Sequence, residues 1–356
     1  MGVRKKPRKW VRPTLIILTS MVVIVALSVI GARLLVGGDT KFGPLPALGT
    51  TADNPEELQQ MLLDMGRTKI SVNTSYMNDT DGVSTTMLDA ETQAGVTTHI
   101  ITLEIQDTLA NIRSGKRDSN LGRIGRQLGQ WQTLHPTHQI IVRPLHEANG
   151  NWYNWGFGAG NKYGNTKDQF IPAWRHVHGV LKYRFPGLKF FWCPSGLIAG
   201  SSETSYAGWY PGDSSVDYVG DDKYNRSTSK GGNTWRMPTA LHAPTIAAIR
   251  DVAPNRPYIV GEVATSEPSP GAASHGHTKA EWFTDFGPWL KGEVRKHGVV
   301  IVCYFDYDKL QLNGNDWRIY PNARTYTYGG KTSTSQAQPG AEESRVAFQK
   351  AIAGIP

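Results

Sequence analysis

Two glutamates close apolar runs of this 356-residue chain: Glu147 in QIIVRPLHE and Glu262 in RPYIVGEVA. An ionised, unpaired carboxylate in such a setting costs several kcal/mol, so it is rarely there by accident. For either residue alone the structural explanation is a satisfied buried carboxylate, paired for instance with Arg143. Two at the same level of two strands point instead to chemistry. Cleavage of a glycosidic bond needs such a pair, one carboxyl protonated to release the leaving oxygen and the other ionised; when the second attacks the anomeric carbon, the two lie about 5–5.5 Å apart. Environment can hold both states in one groove. The stretch RPLHEANGNWYNWG, residues 143–156, surrounds Glu147 with His146, Trp152 and Trp155, and Trp192 ends another run. Sugar rings stack their apolar faces on Trp and Tyr, whose polar tips still hydrogen-bond. Of the eleven tryptophans, Trp174, Trp282 and Trp289 fall on helical patterns and read as core.

The elements that must position these groups alternate. Candidate strands are LPALGTT, KISVNTSY, HIITLEI, QIIVRPLHE, LKFFWCPS, VDYVGDDKY, RPYIVGEVA and VVIVCYFDY. Candidate helices are PEELQQMLLDMG, NLGRIGRQLGQWQTL, QFIPAWRHVHGVLKY, APTIAAIRDVA, KAEWFTDFGPWLKGEVRKHG and AEESRVAFQKAIAG. Apolar strands separated by helices indicate a parallel sheet covered on both faces, and eight of them predict an α/β fold of the (β/α)8 TIM-barrel type. The first strand is the weakest signal, AGSSETSYAGWYPGDSS reads as loop, and a doubly wound open sheet is the alternative. The polar clusters favour the barrel: His146 and Glu147, Trp192, Asp222 and Tyr224, Glu262, and Asp306 all end their runs, and barrel active sites sit at the C-terminal ends of the strands.

The formal charge of +8 is unevenly placed: residues 1–33 carry seven Lys or Arg and no acid, leaving 31 basic against 30 acidic side chains. The body therefore lacks the electrostatic footprint of a nucleic-acid binder. Residues 1–13 read as a basic cytoplasmic segment, Thr14–Ala32 as an uncharged transmembrane anchor or a removed signal, 33–41 as a spacer and 42–356 as one domain. Either reading of 14–32 puts the body outside the cytoplasm, membrane-tethered with its N-terminus inside, or secreted. Cys193 and Cys303 lie in apolar runs and read as buried thiols, with a disulfide chemically open in an exported protein. The histidines of SHGH, His275 and His277, lack nearby carboxylate partners for a metal, and GFGAGNKYG lacks the Gly-Lys-Ser/Thr of a phosphate loop and reads as a flexible rim. Asn73, Asn78 and Asn225 begin glycosylation sequons.

RPLHEANGNWYNWG, followed in order by WYPGDSSVDYVGDDKY and PYIVGEVA, resembles glycoside hydrolase family 26, whose best-known members are endo-β-1,4-mannanases; upstream, IRSGKRDSNLGRIGRQL is similar to that family's helix entry. The resemblance runs from about residue 95 to 320. It implies Glu147 as general acid/base at the end of strand 4 and Glu262 as nucleophile at the end of strand 7. His146 would contact the sugar or the nucleophile, Trp152 the sugar, and the hydroxyl of Tyr224 would hold the nucleophile, with Asp222 and Arg143 as supporting polar groups. Trp155, Trp192, Tyr304 and Trp317 complete the expected substrate-binding set; Trp317 either lines a subsite or packs under the barrel. Family mannanases commonly show Trp near the ends of strands 3 and 8, where this chain has Leu103 and Tyr304–Phe305. The expected function is retaining, endo-acting cleavage of a β-linked polysaccharide, mannan or glucomannan first, by a monomer without cofactor. Mixed-linkage β-glucan or β-1,3-xylan, a membrane-tethered transglycosylase and a non-catalytic carbohydrate-binding barrel are the alternatives.

Overall fold

The computed structural model describes residues 44–197, 204–226, 235–267, 277–309, 314–328 and 331–356. The expectations for 1–13, for the apolar run 14–32, for the spacer and for His275 lie outside the described residues. Among the described residues no helix is long and apolar enough to cross a membrane.

Eight parallel strands close into a barrel: β1 (Ala47–Thr50), β2 (Val72–Asn78), β3 (Thr98–Glu104), β4 (Gln139–Pro144), β5 (Lys189–Trp192), β6 (Tyr218–Asn225), β7 (Tyr258–Thr265) and β8 (Val299–Tyr304). Closure is made by β1, which pairs Gly49 with Val72 of β2 on one side and Ala47 with Ile301 of β8 on the other. All eight runs identified in the sequence are strands, including the weakly signalled first. The (β/α)8 architecture is thus observed, and the open-sheet alternative is not.

Side chains alternate along each strand with period two, and here the alternation sorts chemistry by height. Val72, Ile100, Ile141, Phe191, Ile259 and Ile301 pack in one interior cluster with Cys193 and Cys303. Two residues further along their strands come Thr74, Thr102, Arg143 and Gly261, and above these Tyr76 and Glu104. The residues between them point outward into a separate core against the helices, as Ile101, Val142, Val260 and Val302 do. Cys193 and Cys303 are both buried free thiols.

Helices α1 (Pro55–Asp64), α2 (Thr85–Gln93), α3 (Leu109–Arg113), α4 (Asp118–Leu134), α5 (Phe170–Arg184), α6 (Pro238–Val252), α7 (Lys279–Pro288) and α8 (Ala341–Ala351) cover the sheet. Spacing explains the long ones: Leu121, Ile124, Leu128 and Trp131 put one buried stripe on α4. Local chemistry sets the start of α1, where the Asn54 side chain accepts the Glu57 N–H and Pro55 occupies the first turn. The predicted helix at 279–298 passes after Pro288 into a π-turn, Trp289–Glu293, which accommodates the missing proline donor. Helices α2 and α3 escaped the sequence pattern, because TTMLDAETQ buries only Met87, Leu88 and Glu91 and LANIR only Leu109 and Ile112. Two antiparallel pairs also follow β8: β9 (Asp308–Lys309) with β10 (Asn315–Asp316), and β11 (Arg324–Tyr328) with β12 (Lys331–Ser335).

One irregularity decides what faces the mouth. Asp221 pairs with Val260 but Asp222 pairs with Glu262, so Gly261 is an extra residue in β7. This bulge shifts the parity: Ile259 points inward, and so does Glu262, which a regular strand would send outward. Only glycine fits, because a Cβ at 261 would lie 2.5 Å from Asp222 Oδ1, 2.9 Å from Arg143 Nη1 and 3.0 Å from Cys193 Sγ. The variant Gly261→Ala is expected to lose about 2–3 kcal/mol of stability through this overpacking, read as a lower midpoint of urea unfolding than wild type.

Candidate active site

Arg143 stands at the centre of the C-terminal mouth with no exposed surface. Its Nη1 donates to both oxygens of Asp222 at 2.8 and 2.9 Å, its Nη2 to Glu262 Oε1 at 2.6 Å and its Nε to Thr102 at 2.8 Å. Strands β3, β4, β6 and β7 are thus joined through one side chain. Burial disfavours its charge, and the two carboxylates more than offset that, so it stays cationic.

Glu262 takes three donors. Besides Arg143, the Tyr76 hydroxyl donates to Oε1 at 2.5 Å and the Tyr224 hydroxyl donates to Oε2. Burial, reinforced by the Glu262 charge, pushes both phenols well above their usual range and keeps them protonated as donors. Tyr224 packs against Trp317, and the Arg226 guanidinium lies over both rings at 5.6 and 5.8 Å.

Glu147 is held differently. The chain leaves β4 with Leu145 and Glu147 both in the left-handed region, at φ 49° each, a conformation that costs non-glycine residues about 1–3 kcal/mol. The kink lets the Glu147 N–H donate to Cys193 O at 2.8 Å and puts its carboxyl at the mouth. Among the described residues the donor to that carboxyl is Trp152 Nε1, 2.9 Å from Oε2. Burial first, then the nearby Glu262 charge, raise Glu147 to about 7, with Trp152, Arg143 and Arg226 opposing. A proton donor and a carboxylate already engaged by three donors therefore share one mouth.

The remaining expected residues divide. His146 is buried, with Nε2 2.8 Å from the Tyr153 hydroxyl, and burial together with Arg143 pushes it well below the usual histidine range, so it is neutral. Trp152 is 54% exposed and presents its ring to the groove. Four residues of the expected substrate-binding set are buried. Trp155 lies beneath Tyr153, stacked at 4.5 Å, and donates to His146 O. Trp192 packs among Tyr206, Trp209 and Tyr210. Tyr304 faces outward onto Phe283, Phe286 and Phe348, and Trp317, 1% exposed, backs Tyr224. Arg143 and Asp222 are buried too, bonded to each other. Asp306 leaves the mouth to accept the Ile319 N–H at 2.6 Å. The loop 157–164 is a pinned rim: Phe157 N donates to Ala148 O at 2.7 Å and Gly158 N to Gly150 O at 2.8 Å. Asn73 and Asn225 are buried and hydrogen-bonded, which closes those two sequons to modification.

Sequence reasoning missed Tyr76, Tyr153, Glu104 and Arg226. The signal for Tyr76 was present, since VNTSY alternates and puts its tyrosine on the face of Val72 and Thr74. Among the described residues no group of His, Cys, Asp or Glu is arranged to hold a metal ion.

The profile of glycosyl hydrolase family 26 matches residues 82–266, half of the chain and the portion holding both glutamates. The chain belongs to glycosyl hydrolase family 26. Endoglucanase H of Acetivibrio thermocellus is 30% identical over 211 residues, 59% of this chain and 21% of that protein. A mannan endo-1,4-β-mannosidase of Bifidobacterium adolescentis is 36% identical over 92 residues, 25% of this chain and 9% of that protein. The chain thus spans about a fifth or less of the length of these relatives. The catalytic domain of the GH26 endo-β-1,4-mannanase of Bacillus sp. JAMB-750 superposes with a TM-score of 0.58 at 16% identity, over 87% of this chain and 86% of that one. A double mutant of the Cellulomonas fimi endo-β-1,4-mannanase gives 0.55 at 14%, over 87% and 72%. At such identities the likeness concerns the fold.

Two predictions follow from the electrostatics. Arg143→Met is expected to cost about 3–5 kcal/mol because it strands buried carboxylates, and Arg143→Met/Asp222→Asn should recover part of that in urea unfolding. Glu147 has its folded-state value raised from 4.5 to about 7, so the folded chain binds the proton more tightly and stability falls as pH climbs through that window. Glu147→Gln should therefore gain more in melting temperature over wild type at pH 9 than at pH 4.5.

Proposed function

We propose that the chain is a retaining, endo-acting glycoside hydrolase that cleaves a β-linked polysaccharide, β-1,4-mannan or glucomannan first. The observation that carries this reading is the contrast between the two glutamates at one mouth. Glu147, raised to about 7, is the proton donor; Glu262, clasped by Arg143, Tyr76 and Tyr224, is the nucleophile. In the first step Glu147 protonates the glycosidic oxygen as the bond to the anomeric carbon breaks and Glu262 attacks that carbon. In the second, the Glu147 carboxylate deprotonates water, which displaces Glu262 and restores the original configuration. Both roles are filled by protein carboxylates, and no cofactor enters the scheme. Trp152 offers the exposed aromatic face on which a sugar would stack.

Mannan is favoured by the relatives named mannan endo-1,4-β-mannosidase. A β-glucan is the second reading, favoured by the relative named endoglucanase H, which matches 211 residues of this chain. The basic segment and uncharged run of residues 1–32 support a body placed outside the cytoplasm, tethered or secreted, where such polymers are met.

Incubation with mannan, glucomannan, mixed-linkage β-glucan and β-1,3-xylan should release mixed-length oligosaccharides from one of them, with the β-anomer formed first by NMR. Glu147→Ala and Glu262→Ala should each lower kcat about 10²–10⁴-fold or more on that polymer. Undiminished turnover in either variant removes that residue from the scheme, and an α-anomer as first product overturns retention.

A further inference from the structure

We propose that Trp152 is a positioning residue for Glu147 as well as a face of the groove: its indole N–H claims Oε2, leaving the acid proton on Oε1, and stabilises the carboxylate formed when that proton departs. The inference rests on the reading of Glu147 as acid/base.

An indole nitrogen donates and never accepts, so the 2.9 Å contact from Trp152 Nε1 makes Oε2 an acceptor. The loop is shaped to deliver the indole there. Gly150 N donates to Glu147 O at 2.8 Å, and the next turn folds back through Gly158 N to Gly150 O at 2.8 Å. A Cβ at Gly150 would lie 2.4 Å from Cζ2 of the Trp152 ring, so the ring occupies space that only glycine leaves open. Burial does not explain this placement, because the side chain is 54% exposed. Trp155, three residues on, shows the contrast: wholly buried, it spends its N–H on a backbone carbonyl.

A donor to the charged form favours that form. Glu147 is raised by burial and by Glu262, and opposed by Trp152, Arg143 and Arg226; Tyr153, Tyr224, Asp222 and Lys223 in turn feel its charge. As the proton on Oε1 passes to the glycosidic oxygen, the bonding pair of the breaking C–O bond goes to that oxygen and Glu262 bonds to the anomeric carbon. Glu147 becomes anionic, and the Trp152 contact strengthens into a charge-assisted hydrogen bond. Trp152 keeps Glu147 acidic enough to give its proton up.

The test is a cycle on the full chain with Trp152→Phe, Glu147→Gln and the double variant, read by melting temperature at pH 4.5 and pH 9. Without the indole N–H, ionised Glu147 costs more, so the extra gain from Glu147→Gln at pH 9 should be larger in the Trp152→Phe background than in wild type. An equal gain in the two backgrounds overturns the proposal, whether or not a substrate has been found. On a cleaved polymer, Trp152→Phe should move the alkaline limb of kcat/KM up by about one pH unit. Its rate should also fall at least about tenfold more on that polymer than on a dinitrophenyl glycoside, whose leaving group needs no acid. A raised KM on both substrates with an unmoved limb would leave Trp152 a stacking platform alone. Gly150→Ala, which displaces the ring without removing it, should shift the limb in the same direction. If wild type cleaves nothing, the functional reading fails and the melting cycle still decides this one.

Discussion

The mouth of the barrel depends on a single cation. Arg143 is the one fully buried positive group among Asp222, Glu262 and Glu147, and it reaches two of them directly. A buried ion pair repays its desolvation only when its geometry is good and its remaining hydrogen bonds are met. Here Asp222 takes Nη1 with both oxygens, Thr102 takes Nε, and the two tyrosines complete Glu262. Asp222 looks redundant to catalysis until charge is counted. It holds the guanidinium in the orientation that aims Nη2 at Glu262.

Positioning Glu262 takes more than a strand with the right composition. The alternation that places Val72, Thr74 and Tyr76 on one face would send Glu262 into the helices, and the extra residue Gly261 corrects this. The same glycine vacates the space that Arg143, Asp222 and Cys193 fill. One residue thereby solves a parity problem and a packing problem together. Just past β4 the equivalent device is backbone strain: Leu145 and Glu147 adopt left-handed conformations that turn Glu147 away from the course of the strand.

Much of this was legible in the chain. Apolar runs alternating with helical segments revealed all eight strands, and five of those runs carried their polar or aromatic residues at the C-terminal end, where barrel sites lie. The two glutamates followed from the same reasoning. The aromatic residues were read less well, since composition gives the type of a side chain and not the face it takes. Trp155 and Trp152 are three residues apart in one motif, yet one is core and the other groove, and the difference lies in a glycine-dependent turn that periodicity does not register. Tyr304 ends β8 as expected, but parity sends it outward to Phe283 and Phe348. Tyr76 was passed over for a simpler reason: a tyrosine in a strand is ordinary β composition, and only the closed barrel brings it to Glu262, 186 positions away in the chain.

The supports at the mouth are unequal. Burial pushes Asp222 well above the usual carboxylate range in spite of Arg143, and raises Glu147 to about 7 against the opposing charges of Arg143 and Arg226. Asp222 has two contacts from Arg143 and one from the Cys193 thiol; Glu262 has a guanidinium and two phenols. Glu147 has one indole. The difference in hydrogen-bond support is set by which strand carries the arginine. Glu147, four residues beyond Arg143 and past the end of β4, makes no hydrogen bond to its fork, while Asp222 and Glu262 meet it from β6 and β7. The two glutamates of the mouth differ first in whether that guanidinium bonds to them.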